Sequence, residues 1–159
     1  MPLLGIVAML VAQNFYGTLP IDGVDCNPTE GVAEHIHAQL QLYDRGKRVP
    51  VPANIGISQT AGCLYWMHTH DATGFIHIEA PVVKNYTLGQ FFDIWGRDLS
   101  WSRADGVAAP HGSHLSIWIN GQAWHGSDPR SISIRQHEVI VIQNGPPFAK
   151  PEKPQWGDM

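Results

Sequence analysis

The chain has 159 residues, a formal net charge of -4 with histidines neutral, and only 15% charged residues. This length suits a single domain with its own buried core, so a bound metal would serve function rather than folding. Nucleic-acid-binding proteins usually concentrate Lys and Arg, and the ten in this chain form no basic stripe, which argues against nucleic acid as a partner. Nine histidines beside those ten basic residues direct attention to imidazole chemistry.

Residues 1–30 are predicted to form an apolar N-terminal segment followed by an irregular lead-in rich in Pro, Gly, Asp and Asn. The apolar run of residues 1–11 is too short to span a bilayer and lacks the positive region of a complete signal peptide. It is either the remnant of an export or anchor sequence or a buried first element. Membrane anchoring through this segment is left open.

Cys26 and Cys63 are the two cysteines, and they do not form a Cys-x-x-Cys pair. They are compatible with one disulfide in an oxidising compartment or with two thiolate ligands in a reducing one. The disulfide is the favoured alternative. It would join the segment before the first histidine pair to the start of the strand that carries the second.

Two hairpins are predicted next along the chain. In the first, residues 35–43 alternate as a strand, residues 44–47 form a turn, and residues 48–57 return as an extended arm interrupted by Pro50 and Pro52. In the second, residues 63–70 form a strand, residues 71–74 a four-residue turn, and residues 75–80 the partner strand.

The rest of the chain is predicted to be a helix followed by more sheet. Thr87 is a suitable N-cap for a short amphipathic helix that ends at Gly96, and residues 96–112 show no periodicity and are predicted to be a mobile loop. Residues 115–120 form a strand, Asn120-Gly121 a hairpin turn, and residues 137–143 a last strand. Residues 31–145 are thus one His-rich β domain, and residues 146–159 a Pro-rich tail.

The fold class that follows is α+β, mostly β, with an antiparallel sheet, a His-rich hairpin face and one short helix. The order of hairpin, helix and closing strands after Cys63 resembles the β-grasp arrangement of ubiquitin-like domains. That resemblance covers about half of the chain and implies a fold, not an activity.

Three triplets place metal-ligating residues two positions apart: His35-Ile36-His37, His68-Thr69-His70 and His77-Ile78-Glu79. In a β-strand, residues i and i+2 point to the same face, and a turn at residues 71–74 would set His68 opposite His77. The predicted metal ligands are therefore the five histidines of these triplets: His35, His37, His68, His70 and His77.

The other polar residues have weaker cases. Asp71 and Glu79 are candidate bases beside the ligands, with their catalytic role open. His111 and His114 lie in an irregular segment that could cap the site, although a solvated loop is the simpler interpretation. Of the two remaining histidines, one follows Trp124 near a turn and the other opens the last strand, where surface and structural roles are expected: His125 and His137.

Neutral imidazoles suit zinc, copper, iron and nickel, so copper or zinc is the predicted ion, with iron behind them. The leading hypothesis is a protein that captures or buffers the ion. The first alternative is a mononuclear metalloenzyme with three histidines, a zinc hydrolase or hydratase or a copper or iron oxidase. The second is a metal-free partner-binding module, in which the histidines form a hydrogen-bonded network with Glu34, Asp71 and Glu79. The sequence leaves self-association open.

Five motifs are spaced between Ile21 and Pro147: Asp25-Cys26, Glu34-His35-Ile36-His37-Ala38, Cys63-Leu64-Tyr65-Trp66-Met67-His68-Thr69-His70-Asp71, Ile76-His77-Ile78-Glu79 and Leu88-Gly89-Gln90-Phe91-Phe92-Asp93-Ile94-Trp95-Gly96. Together they resemble an uncharacterised family of exported, often membrane-anchored bacterial His-rich domains. The resemblance implies an extracytoplasmic location and implies no established activity.

Overall fold

A computed structural model describes residues 18–159, and the apolar run of residues 1–11 lies outside the described part. The described chain contains one α-helix, α1, at Leu88–Trp95, and a 3-10 turn at Pro129–Ser131. Its strands are β1 Cys26–Asn27, β2 Glu34–Asp44, β3 Lys47–Val49, β4 Ile57–Ser58, β5 Cys63–Tyr65, β6 Met67–His68, β7 Phe75–Ala80, β8 Arg103–Ala104, β9 Val107–Ala108, β10 Ser116–Ile119, β11 Gln122–Ala123 and β12 Val139–Asn144.

The main sheet has the strand order β11-β10-β12-β2-β7-β6, and β3 pairs with the end of β2. All of its neighbours are antiparallel except β2 and β12, which run parallel. The predicted class, α+β and mostly β, is confirmed, with one parallel pair in the sheet that was predicted to be antiparallel throughout. The β-grasp-like arrangement stays a prediction.

The second predicted hairpin is confirmed, including its register. β6 and β7 pair with His68 opposite His77 and Met67 opposite Ile78. The turn closes at Gly74, which has a φ of +83° and whose carbonyl accepts a hydrogen bond of 2.9 Å from the Leu40 amide. A Cβ at this position would collide with the Leu40 carbonyl, so both the dihedral angle and the space require glycine.

Two predicted strands are shorter than expected. The strand predicted over residues 63–70 is divided at Trp66, because β5 pairs with β1 and β4 in a separate three-stranded sheet while β6 joins the main sheet. The Trp66 amide donates to the Asp25 carbonyl (3.1 Å), and its carbonyl accepts from the Glu79 amide (2.8 Å), so this residue connects the two sheets. Of the return arm predicted over residues 48–57, only the part in β3 pairs with β2, and Ile57 at its end begins β4, which pairs with β5 in the small sheet.

The predicted disulfide is confirmed: Cys26 and Cys63 are bonded. It lies at the pairing of β1 with β5, in the small sheet that precedes β6. The bond therefore fixes the lead-in to β2 against the chain that leads to the second histidine pair. A disulfide is consistent with an extracytoplasmic location.

The helix begins and ends where the sequence predicts. Thr87 and Gln90 form a capping box in which the Thr87 hydroxyl accepts from the Gln90 amide and the Gln90 side chain accepts from the Thr87 amide. Gly96 ends the helix in the left-handed conformation. Leu88, Phe91 and Phe92 are fully buried in the core on one side of the sheet.

Residues 96–112, predicted to be a mobile loop, contain the short hairpin of β8 and β9. Three of their side chains, Leu99, Ala104 and Val107, are buried in the core. The segment has no recognisable period because its two strands have only two residues each, too few to alternate visibly.

The two faces of β2 divide the sheet. Leu40 and Leu42 point to the apolar core together with the helix, while alternate residues point to a polar face. The Pro-rich tail covers part of that polar face, because Gln41 exchanges two hydrogen bonds with the backbone of Glu152 (2.8 and 3.0 Å). Among residues 18–159, no helix is long and apolar enough to cross a membrane.

Candidate metal centre

The five predicted ligands lie together on the polar face of the sheet. β7 is the central strand of three, with β2 on one side and β6 on the other. Its His77 is opposite His37 of β2 and His68 of β6, and its Glu79 is opposite His35. The imidazole rings are in contact, with centroids 4.6 Å apart for His37 and His77 and 4.5 Å apart for His70 and His77. The structure therefore joins the three triplets into one cluster.

Glu79 lies at the centre of this cluster. The sequence predicts it only as a candidate base beside the ligands. Its Oε1 lies 3.4 Å from His35 Nε2, 4.0 Å from His37 Nε2 and 3.6 Å from His77 Nδ1. Its Oε2 lies 3.5 Å from His68 Nε2. The Glu79 side chain is only 7% exposed, so a buried carboxylate is surrounded by imidazole nitrogens.

The orientation of His68 is fixed by the backbone. Its Nδ1 lies 2.9 Å from the Tyr65 carbonyl oxygen, and a carbonyl can only accept, so Nδ1 carries the proton. In the neutral ring, Nε2 then holds a lone pair that points into the cluster. A backbone carbonyl that fixes the tautomer in this way is the usual companion of a metal-binding histidine.

A lone pair and a carboxylate that face each other in a buried site repel unless a positive charge lies between them. His68 Nε2 and Glu79 Oε2 are in this position. The His68 lone pair also faces His70 Nε2 at 3.2 Å, whereas within residues 18–159 neither Glu79 Oε2 nor His77 Nδ1 has a hydrogen-bond partner at normal geometry. Either a proton or a metal ion can supply the charge. The separations of 3.4 to 4.0 Å are longer than a normal N–H···O bond. The shortest of these separations is close to the distance between two nitrogen ligands of one tetrahedral zinc ion, about 3.3 Å.

The donor atoms fall into two groups that share Glu79, and within each group they all lie within 4.8 Å of one another. We call them the first ligand group (His68, His70, His77 and Glu79) and the second ligand group (His35, His37 and Glu79). Each group combines buried ligands with one histidine that is exposed to solvent. The exposed histidine is His70 in the first group (46% exposed) and His35 in the second (57% exposed). An ion could therefore enter from solvent and be held by buried ligands.

Burial and the neighbouring imidazoles lower the pKa of two histidines in the cluster, His37 and His70. Burial, followed by the charges of His77 and His35, lowers the pKa of His37 from 6.5 to about 4. Burial and the nearby His68 and His77 also lower the pKa of His70. Burial by itself would raise the pKa of Glu79, but the polar contacts and charges of His68 and His77 hold it well below its usual range. Neutral imidazoles beside an ionised carboxylate are the forms that bind a metal.

These shifts predict that the metal-free protein loses stability between about pH 6.5 and pH 4. His37 stays neutral in the folded chain down to about pH 4, whereas the unfolded chain takes up that proton near 6.5. The unfolded state binds more protons in this range, so the free energy of unfolding falls as the pH is lowered. Urea denaturation in a chelator at pH 7, 5.5 and 4 measures it. A His37→Gln variant should show a weaker pH dependence, and a flat profile for the native chain would contradict the prediction.

The remaining candidates lie outside both ligand groups. Asp71 instead closes the turn between β6 and β7, where its carboxylate accepts from the Thr73 amide (2.9 Å) and hydroxyl. His137 contacts Trp156, with ring centroids 4.6 Å apart, and His114 packs on the edge of Trp101. His111 and His125 are exposed.

One neighbour of the site was not predicted. Glu30 Oε1 lies 3.9 Å from His70 Nε2 at the exposed rim. It reaches this place because the next residue, Gly31, passes directly over the end of β7, where its amide donates to the Glu79 carbonyl (3.1 Å) and a Cβ would collide with the Ala80 backbone. The only indication of this close contact in the sequence is Gly31 itself, and a single glycine does not show which strand the chain passes over.

Comparisons with known proteins do not assign this centre. No protein-family model matches the chain, and no curated protein and no solved structure matches it significantly. The resemblance to exported His-rich domains therefore stays a prediction, and the function has to be argued from the geometry.

Proposed function

We propose that this protein is an exported metal-binding protein that captures or buffers a copper or zinc ion in the first ligand group. The observation that carries the proposal is the pair of buried acceptors, His68 Nε2 and Glu79 Oε2, which face each other at 3.5 Å. The His68 tautomer set by the Tyr65 carbonyl leaves a lone pair there, which also faces His70 Nε2 at 3.2 Å. A cation among these three atoms would be bound by all of them and would remove the repulsion between His68 and Glu79.

The ligand types support copper or zinc. Three imidazoles and one carboxylate suit zinc, copper or iron, whereas calcium and magnesium prefer shells made of oxygen alone. Export is supported by the disulfide between Cys26 and Cys63, which persists in oxidising compartments. A capture protein needs ligands that an ion can reach, and His70 at the exposed rim meets this need.

The test is metal analysis of the protein purified without a His-tag, by plasma mass spectrometry, after loading with copper or zinc and removal of excess ion. We expect bound metal in the native chain and at least a tenfold loss of metal affinity in the double variant His68→Ala/His77→Ala. Mutating a residue that only hydrogen-bonds to a metal ligand typically lowers the affinity about 10 to 100-fold, and removing the ligand itself should cost more. The matched control is His111→Ala/His125→Ala, which removes two exposed histidines outside both groups.

No metal in the native chain after loading with each ion would contradict the proposal and favour the metal-free partner-binding module. Equal loss of metal in the control variant would show that the ion binds histidines in general rather than this group. Circular dichroism of each metal-free variant establishes that the sheet is intact, so that a loss of metal is not a loss of fold.

The exposed rim also favours the mononuclear metalloenzyme as a second candidate. His70 is 46% exposed, so an ion beside it has a side that faces solvent and can hold a water molecule. The two functions differ in whether that coordination position is open. Azide added to copper- or cobalt-loaded protein should change the visible spectrum if the position is open, and should leave it unchanged if protein ligands close the shell.

A further inference from the structure

The second ligand group is a potential metal site in its own right. His35 and His37 lie two residues apart on β2 and point to the same face, towards the Glu79 carboxylate on β7. Their Nε2 atoms lie 3.4 and 4.0 Å from Glu79 Oε1. This group lies across β7 from His68 and His70. An ion bound in the first group would therefore leave His35 and His37 free to bind a second ion.

Glu79 presents one oxygen to His68 and the other to His35 and His37. Oε1 is the atom nearest His35 and His37, and Oε2 is the atom nearest His68. His77 Nδ1 also lies 3.6 Å from Oε1, so His77 borders both groups. The carboxylate is nine-tenths buried, and its Oε2 has no hydrogen-bond partner among the described residues. A carboxylate held between two sets of imidazoles has the geometry of a bridging ligand, with one oxygen directed to each ion.

The charges allow two ions. In two-metal sites the ions lie about 3.5 to 4 Å apart, while each lies about 2 Å from a carboxylate oxygen. With half of the negative charge on each carboxylate oxygen, Coulomb's law makes the attraction of two divalent ions to the bridging carboxylate about one and a half times their mutual repulsion. Glu30, whose carboxylate is 3.9 Å from His70, can supply a further negative charge at the rim.

We propose that the polar face of the sheet holds a dinuclear metal centre, in which the first and second ligand groups each bind one copper or zinc ion and Glu79 bridges the two. The proposal rests on the proposed function for the first ion and adds a second site, His35 and His37. The shared carboxylate makes binding at the two sites interdependent, because removing it takes a ligand from both ions.

The test is a copper titration of the native chain and two variants, with the metal counted by plasma mass spectrometry after equilibrium dialysis. We expect two copper ions per native chain and one per His35→Ala chain at the same free copper concentration. His35 is 57% exposed, so this substitution leaves the packing of the sheet in place. Glu79→Gln preserves the shape of the side chain and should weaken both ions by at least about tenfold.

Electron paramagnetic resonance on the copper-loaded protein tests the bridge. Two bridged copper ions couple magnetically, so the native chain should give a spin count well below its copper content, and His35→Ala should restore one full spin per bound copper. One copper per native chain, unchanged in His35→Ala, would overturn the dinuclear centre and leave the proposed function standing. Two uncoupled ions that both survive Glu79→Gln would overturn the bridge, and no copper at all would overturn both proposals.

Discussion

Replacing Cys26 and Cys63 by serine is expected to lower the free energy of unfolding by about 4 kcal/mol. The two residues are 37 positions apart, and the bond removes the entropy of that loop from the unfolded chain. A domain of this size is usually stable by about 5 to 15 kcal/mol, so the loss is a large share of the total. Guanidinium denaturation of the oxidised native chain and of the double serine variant measures the difference.

The native chain in a thiol reductant is the matched control, because it has the same sequence and lacks only the bond. It should unfold at nearly the same denaturant concentration as the serine variant, with two free thiols per chain by mass spectrometry after alkylation. An unchanged midpoint in both samples would show that the small sheet of β1, β4 and β5 keeps its position without the disulfide.

The sequence predicted the local part of the site. The turn at residues 71–74 fixes the register of one hairpin, so the pairing of His68 with His77 follows from counting residues on both sides of Gly74. The helix between Thr87 and Gly96 was predictable for the same reason, because its caps lie within the element itself.

The pairings between distant segments could not be predicted. His35 and His37 join the cluster because β2 pairs with β7, forty residues further along the chain, and no local pattern sets that register. The parallel pairing of β2 with β12 is more distant still, and the alternation of β12 is equally compatible with an antiparallel neighbour. The central position of Glu79 depends on both edges of β7 being paired, so the sequence placed it only beside the ligands.

The polar residues of β2 beyond the histidines show a further limit. Gln41 is fully buried, although polar alternation in a strand predicts a solvated face. The reason is the tail, since Glu152 satisfies the Gln41 amide through two backbone hydrogen bonds. A tail without periodicity gives no indication of where it packs, and the burial of the polar face followed only from the fold.

Saturation with copper or zinc is expected to raise the free energy of unfolding by about 4 kcal/mol when the free ion exceeds its dissociation constant a thousandfold. For a chain of this size, that corresponds to a rise in melting temperature on the order of 10 °C. The physical reason is that the first ligand group comes from both strands of the hairpin, β6 and β7, and from His70 in the turn segment that follows β6, and these residues meet only when the hairpin is formed in the folded sheet. Calorimetry with metal and with excess chelator measures the rise.

The rise in melting temperature distinguishes an ion bound in the site from an ion bound on the surface. In His68→Ala/His77→Ala the metal-dependent part should disappear, while His111→Ala/His125→Ala should keep it in full, because only the first pair contributes to a ligand group. An ion on exposed histidines would bind the unfolded chain almost as well as the folded one, and linkage then gives little stabilisation. Metal that binds stoichiometrically and leaves the melting temperature unchanged would therefore place it outside the cluster around Glu79.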